Sequence, residues 1–308
     1  MKYWRLVQLG EKPRHTWQEA AVKWFKESTR KSTKNDLAAL KWLDPFLGKL
    51  HLDEINRDLV DKIKEAKLKT GVKPATVNGL LEVLRVVLNT AFKEWEWIDR
   101  VPRVRMMKTA NARIRWLTKN EAARLLSCLP EHLRVMATFS LATGLRRNNV
   151  TGLEWSQVDL TRRVAWIHAD QSKTGRPIGV PLNREAVVLL RGQIGQHSIY
   201  CFSYKGKRIN QVSTKAWYNG LKKAGIDDFR WHDLRHTWAS WHVQSGTPIH
   251  VLQELGGWSE IKMVQRYAHL APEHLSPYAD NICGLGDVTT FLTTQEVGIK
   301  KAATSIMR

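Results

Sequence analysis

Cysteine is scarce. The three present, Cys128, Cys201 and Cys283, are widely spaced and form no Cys-x-x-Cys pair. That argues against a disulfide-stapled scaffold and a four-cysteine zinc site. Long apolar runs are also missing: no uncharged stretch reaches the roughly 18 residues that span a bilayer. The opening Met1-Lys2-Tyr3-Trp4-Arg5 lacks the apolar core of a signal peptide. These absences lead us to expect a soluble, cytoplasmic protein with no membrane partner. Neither an internal repeat nor a low-complexity tract is visible. Acidic side chains are few, 29 against 49 Lys and Arg, for a net charge of +20. What the chain does have is 43% hydrophobic residues and 14 Trp, enough for a sizeable core and unlike a disordered polycation. A length of 308 residues points to two domains.

The charge attracts polyanions, of which nucleic acid is the commonest inside cells. It is not confined to a tail: residues 1–110 carry 23 basic and 14 acidic side chains, and the remainder 26 and 15. A generic basic surface would give the same totals, so charge supports a nucleic-acid partner without naming a chemistry.

The first part reads as helical. Trp17, Ala20, Ala21, Trp24 and Phe25 form an amphipathic stripe. A second pattern, Leu37 to Phe46, is expected to stop near Pro45 and Gly48, and a third runs from Ile55 to Leu68. After Pro74, placed as a first-turn proline, a longer pattern runs from Val77 to Trp97. Residues 98–116 break the periodicity and read as an extended basic linker: Arg100, Arg103, Arg105, Lys108, Arg113 and Arg115 face only Asp99 among acids. Six positive charges there suit tracking of a DNA backbone, although any one of them alone suits a solvated connector. A second domain opens with Thr118 and Glu121, a capping box, followed by a helix over Glu131–Ala142. Alternation in 164–182 predicts a β-hairpin with Lys173-Thr174-Gly175 in its loop. Helical patterns return from 183 to 268.

Four motifs carry candidate chemistry. In Ala142-Thr143-Gly144-Leu145-Arg146-Arg147, Gly144 allows a tight break, and Arg146 starts a new helix where its planar fork can meet a phosphate. Pairing with a carboxylate at a helix start is the plainer alternative. In Trp231-His232-Asp233-Leu234-Arg235-His236-Thr237, helical spacing puts Trp231, Leu234, Trp238 and Trp241 on a core side and His232 with Arg235 on another. A proton-transfer group beside a fixed cation suits a phosphate site. His232 and His236 also have the spacing of zinc ligands, but Asp233 stands where a zinc protease carries Glu, and no third ligand is evident. Lys173 in the hairpin turn is either solvated or carried toward a DNA groove. Leu255-Gly256-Gly257-Trp258 precedes Arg266-Tyr267-Ala268-His269; Trp258 and Tyr267 fit a core as well as a site, and the Trp258 N–H can donate to a phosphate oxygen.

Taken together, Arg146, Lys173, His232, Arg235, Trp258 and Tyr267 resemble the catalytic set of the tyrosine recombinases, the phage integrase family, in the same order and with nine residues from Trp258 to Tyr267. The resemblance spans about residues 16–275. It implies a mainly α fold with a small β-sheet: a helical core-binding (SAM-like) domain over 16–97, the linker, and a mixed α/β catalytic domain over 117–275, forming a C-shaped clamp on DNA. Residues 1–15 precede these domains, and a tail over 276–308 is a candidate for docking onto a neighbouring subunit.

By the same resemblance, Arg146, Arg235 and Trp258 clamp the scissile phosphate and Tyr267 is the nucleophile. His232 takes the tyrosine proton as general base, Lys173 protonates the departing 5′-oxygen, and His236 supports the site from behind. Cleavage through a 3′-phosphotyrosine needs no ATP, metal or cofactor. The implied partners are double-stranded attachment sites, a homotetramer on two of them, and accessory DNA-bending proteins. Asn149 departs from the acidic residue that relatives often carry, Trp258 replaces the commoner His, and few residues remain for an arm-binding domain. Other readings are a catalytically idle regulator on the same fold, a type IB topoisomerase, which shares the phosphate chemistry but needs one duplex, and a zinc-dependent hydrolase using His232 and His236.

Overall fold

Thr16 and Glu19 cap helix α1 (Trp17–Glu27) reciprocally: Glu19 N donates to Thr16 Oγ1 at 3.2 Å, and Thr16 N to Glu19 Oε2 at 3.0 Å. This helix opens the first of two units in a computed structural model that describes residues 13–28, 33–109, 114–172 and 175–270. The units are Met1–Arg113 and Ile114–Arg308.

In the first unit, α1 packs with α2 (Thr33–Leu47), α3 (Arg57–Lys69) and α4 (Pro74–Lys93) around Trp17, Trp24, Leu43, Leu47, Ile63 and Leu84. Helix α2 stops at Leu47, beside Gly48 as expected, and it runs through Pro45 because a proline in the final turn removes only one ladder donor and leaves Leu47 buried in the core. One helix end differs from expectation. Helix α4 ends at Lys93 rather than Trp97, because Glu96 turns left-handed at φ 55°. Among the described residues α4 is the one helix long and apolar enough to cross a membrane, but its Val77, Leu81, Leu84 and Leu88 are buried in this core.

The segment read as a linker is held down in its first half. Ile98 is buried, Val101, Val104, Met106 and Met107 pack against the first core, and Asn78 exchanges two hydrogen bonds with the Met107 backbone at 2.8 and 2.9 Å. Arg100, Arg103, Arg105 and Lys108 stay exposed. An extended strap with alternating sides explains both facts: apolar residues point in and cations out.

The second unit begins at α5 (Lys119–Cys128), capped by Thr118 and Glu121 as expected. Helices α6 (Glu131–Thr143), α7 (Arg147–Thr151), α8 (Arg184–Arg191), α9 (Lys215–Lys223), α10 (Asp233–Gln244), α11 (Ile249–Gly256) and α12 (Lys262–Gln265) follow. A three-stranded antiparallel sheet, ordered β1 (Val158–Asp159), β2 (Val164–Ile167), β3 (Ile178–Pro181), contains the expected hairpin, with Trp166 opposite Gly179. Residues 183–268 are not wholly helical. Strands β4 (Ser203–Tyr204) and β5 (Lys207–Arg208) flank Lys205 and Gly206, both left-handed, at φ 51° and 71°. That is the turn a two-residue hairpin needs, and strands this short leave no readable alternation. Helix α10 packs along α6.

Arg115 departs from its expected linker role. It donates to Glu121 at 2.8 Å and to the Trp116 carbonyl, so it is tied to the start of α5. Arg113, Lys173 and the tail over 276–308 lie outside the described residues.

Candidate active site

Helix α6 ends at Gly144, left-handed at φ 63°, and the chain turns so that Arg146 becomes the N-cap of α7. The Arg146 guanidinium is half-buried, and loss of water lowers its pKa from the ordinary value.

Arg235 sits in the first turn of α10 and is only 5% exposed. Its Nη1 donates to the Gly144 carbonyl and its Nη2 to the Gly256 carbonyl, each at 2.5 Å. These carbonyls terminate α6 and α11. One planar fork thus satisfies an orphan acceptor at each helix end, where the helix dipoles favour a cation. Burial, followed by the charge of Arg146, pushes the Arg235 pKa down to about 9, and Tyr267 works in the opposite direction. Both guanidinium groups are therefore partly stripped of water, and the charge of Arg146 is felt at Arg235. Such a site gains from the arrival of an anion.

Trp258 stacks on this fork, its ring centroid 4.1 Å from the Arg235 Cζ. It is placed by Gly256 and by Gly257, the left-handed C-cap of α11 at φ 59°. A Cβ at Gly256 would lie inside the Trp258 ring, and a Cβ at Gly257 would press on Ile178 of β3 at 2.6 Å. The base of the hairpin that carries Lys173 is thereby packed against the Trp258 turn. The hairpin is also tied to α7, where Asn149 Nδ2 donates to the Gln171 carbonyl at 3.3 Å, and to Gln157 just before β1, whose Nε2 donates to Gln171 Oε1 and to the Trp166 carbonyl, both at 2.7 Å.

Gly256→Ala is expected to push Trp258 off Arg235. Overpacking of this kind costs about 1–3 kcal/mol, which for a unit of this size lowers Tm by roughly 5 °C. Calorimetry checks the result, and an unchanged Tm would mean that Trp258 has room to move.

Tyr267 follows α12 and is 1% exposed, packed among Trp238, Ala239, Leu252, Val264 and Trp258. Its hydroxyl lies 2.6 Å from His236 Nδ1. Burial raises the phenol pKa, opposed by Arg235 and Arg266 and reinforced by Asp233. Here the structure differs from the sequence reading, which handed the phenol proton to His232. His232 is exposed at the N-cap of α10, and the imidazole against the phenol is that of His236, one turn further on and mostly buried. The two imidazole rings meet edge to face at 5.1 Å. His232 and Arg235 also do not share a side as drawn: Arg235 points into the protein and His232 outward, because Arg235 has two helix ends to satisfy.

The structure thus gathers Arg235, Trp258 and Tyr267 with Arg146 close enough to act on Arg235, and it sets His232 at the rim. Sequence reasoning missed the carbonyls of Gly144 and Gly256, which carry no side-chain signal, and the contact of His236 with the phenol. It also missed Trp238, which leaves no space for a Cβ at Gly144. Among the described residues, no group of three or more His, Cys, Asp or Glu side chains is gathered as a metal site would need.

Comparison with known proteins bears on the same unit. The family model described as the phage integrase family matches residues 115–274. The integrase of Salmonella phage P22 is 41% identical over 320 aligned positions, covering 91% of this chain and 82% of that protein. Of solved structures, the Tn1549 transposon integrase in complex with transposon right end DNA superposes with a TM-score of 0.71 at 17% identity, covering 88% of this chain and 100% of that one. A lambda integrase tetramer bound to a Holliday junction gives 0.65 at 16% identity, covering 88% and 81%. At these identities the structural likeness speaks for the fold.

Proposed function

The chain belongs to the phage integrase family and is a site-specific tyrosine recombinase, and from that premise we propose how its second unit cuts and reseals DNA. The observation that supports the reading best is the buried Arg235 fork, anchored on two helix ends beside Arg146, Trp258 and the Tyr267 hydroxyl.

A phosphodiester gains negative charge as it becomes five-coordinate, and preorganised donors stabilise that charge most when water is excluded. Arg146 and Arg235 bind the non-bridging oxygens, with the Trp258 N–H assisting. Tyr267 Oη attacks phosphorus, the bond to the 5′-oxygen breaks, and a 3′-phosphotyrosine forms. Lys173 protonates the departing 5′-oxygen, while His232 at the rim exchanges protons on the phosphate side. The covalent bond keeps the energy of the phosphodiester, so a 5′-hydroxyl from a second duplex can reseal the strand without ATP.

On this reading the substrates are attachment-site duplexes, exchanged through a four-way junction by four copies of the chain, with accessory DNA-bending proteins and the 276–308 tail as further contacts. The exposed Arg100, Arg103, Arg105 and Lys108 add phosphate contacts that fix position rather than sequence. The biological outcome is integration and excision of a phage or mobile element.

The test is a nicked suicide duplex, built from the attachment repeats flanking the gene and incubated in EDTA. A covalent complex should accumulate, with the DNA 3′-end mapped by proteolysis and mass spectrometry to the peptide containing Tyr267. Loss of the complex in chelator would point instead to metal-dependent hydrolysis.

A further inference from the structure

Of the groups that touch a reacting atom, one was expected only to support the site from behind. His236 Nδ1 lies 2.6 Å from the Tyr267 hydroxyl, a short and direct contact between two largely buried side chains. The imidazole stands on the helix that supplies Arg235, so the same rigid turn that fixes the phosphate clamp fixes the partner of the nucleophile. His232, one turn earlier, reaches the edge of the His236 ring, and the imidazole at the phenol is that of His236.

We propose that His236 is the base that receives the phenol proton when Tyr267 attacks. The inference deepens the recombinase reading above and rests on it. The step requires the imidazole proton on Nε2, so that Nδ1 accepts from the phenol. As the Oη–P bond forms, the O–H bond breaks and its proton stays on Nδ1. The P–O5′ bond breaks, and the 5′-oxygen takes a proton from Lys173. Resealing runs the same steps backwards: the imidazolium returns its proton to the departing phenolate. No oxidant, metal or further reactant is needed. Burial supports the assignment, since a phenol removed from water ionises less readily and benefits from a base already in contact.

Asparagine places a polar atom near Nδ1 and keeps a hydrogen bond to the phenol, but it cannot take a proton. His236→Asn is therefore expected to cut the core-site suicide duplex about 10²–10³-fold more slowly in single turnover, while its gel-shift affinity for the same duplex stays within a few-fold of the parent. A 5′-bridging phosphorothiolate, whose sulfur leaves without protonation, should bypass loss of Lys173 and give His236→Asn no comparable gain. Replacing Tyr267 by difluorotyrosine, a more acidic phenol, should restore at least tenfold of the lost rate. Cleavage by His236→Asn close to the parent rate, or a slow variant that the acidic phenol does not help, would overturn the assignment and leave His236 a positioning residue. A parent protein that forms no adduct at Tyr267 would instead break the recombinase reading itself, so the two failures are told apart.

Discussion

Tyr267→Phe should form no covalent complex with the suicide duplex, a loss of at least about 10⁴-fold, while still binding it. The substitution removes a single oxygen and leaves the ring in its packing among Trp238, Leu252, Val264 and Trp258. On the proposed reading DNA affinity rests on phosphate contacts from Arg146, Arg235 and the exposed strap arginines, which the change does not touch. Stability should fall modestly. The phenol is the hydrogen-bond partner of His236 Nδ1 inside a largely buried pocket, and leaving a buried polar atom unmatched costs about 1–3 kcal/mol. The pH dependence gives a second check. The folded chain raises the phenol pKa, so it holds that proton more tightly than the unfolded chain. This contribution to stability is fully present below the ordinary phenol pKa and is lost as pH rises through the raised one. The parent should therefore lose part of its stability in strongly alkaline solution through this group, and the Phe variant should lack that component. A 3′-linked adduct persisting in Tyr267→Phe would place the nucleophile on another side chain; Tyr204 and Tyr218 are exposed enough to be tested next.

Much of this site was legible because its chemistry is carried by side chains whose spacing survives in one dimension. Gly144 before Arg146 announced a tight break between two helices, and the break is there, with Gly144 left-handed at φ 63°. The alternation around Trp166 and Val180 announced a hairpin, and Trp166 does pair with Gly179. Helix α10 shows where a one-dimensional reading stops. Helical angles put Arg235 on a polar side with His232, but no periodicity can show that two other helices end within reach of its guanidinium and draw it inward. The same limit hid the partner of the phenol. His232 and His236 are equivalent by type and lie one turn apart. Only the position of α12, delivered by a chain reversal at Gly257, decides which ring meets Tyr267. The short β4–β5 hairpin was lost for a different reason: two-residue strands held by a turn at Lys205-Gly206 leave no pattern to read.

The second large effect is expected at Arg235. Arg235→Lys keeps a positive charge, and if charge alone mattered the variant would cut DNA well. The fork matters more. Its two terminal nitrogens are each committed to a helix-end carbonyl and its face is stacked on Trp258; on the proposed reading its other N–H groups meet the phosphate. A lysine ammonium is a compact point charge that cannot span Gly144 and Gly256 together, nor stack as a plane. Two consequences follow from the same geometry. At least one buried carbonyl loses its partner, which should lower Tm in calorimetry, and the phosphate loses a donor positioned for its five-coordinate state. Removing one preorganised donor of this kind typically costs about 10²–10³-fold in rate, so single-turnover cleavage should fall by about that factor or more. Arg146→Lys provides the contrast. Arg146 is half-buried at the N-cap of α7 rather than sealed between two helix ends, so its replacement should slow cleavage with little change in Tm. If Arg235→Lys melts like the parent and cuts within a few-fold of it, the helix-end anchorage is not what shapes this site, and the phosphate clamp must be sought among the other cations.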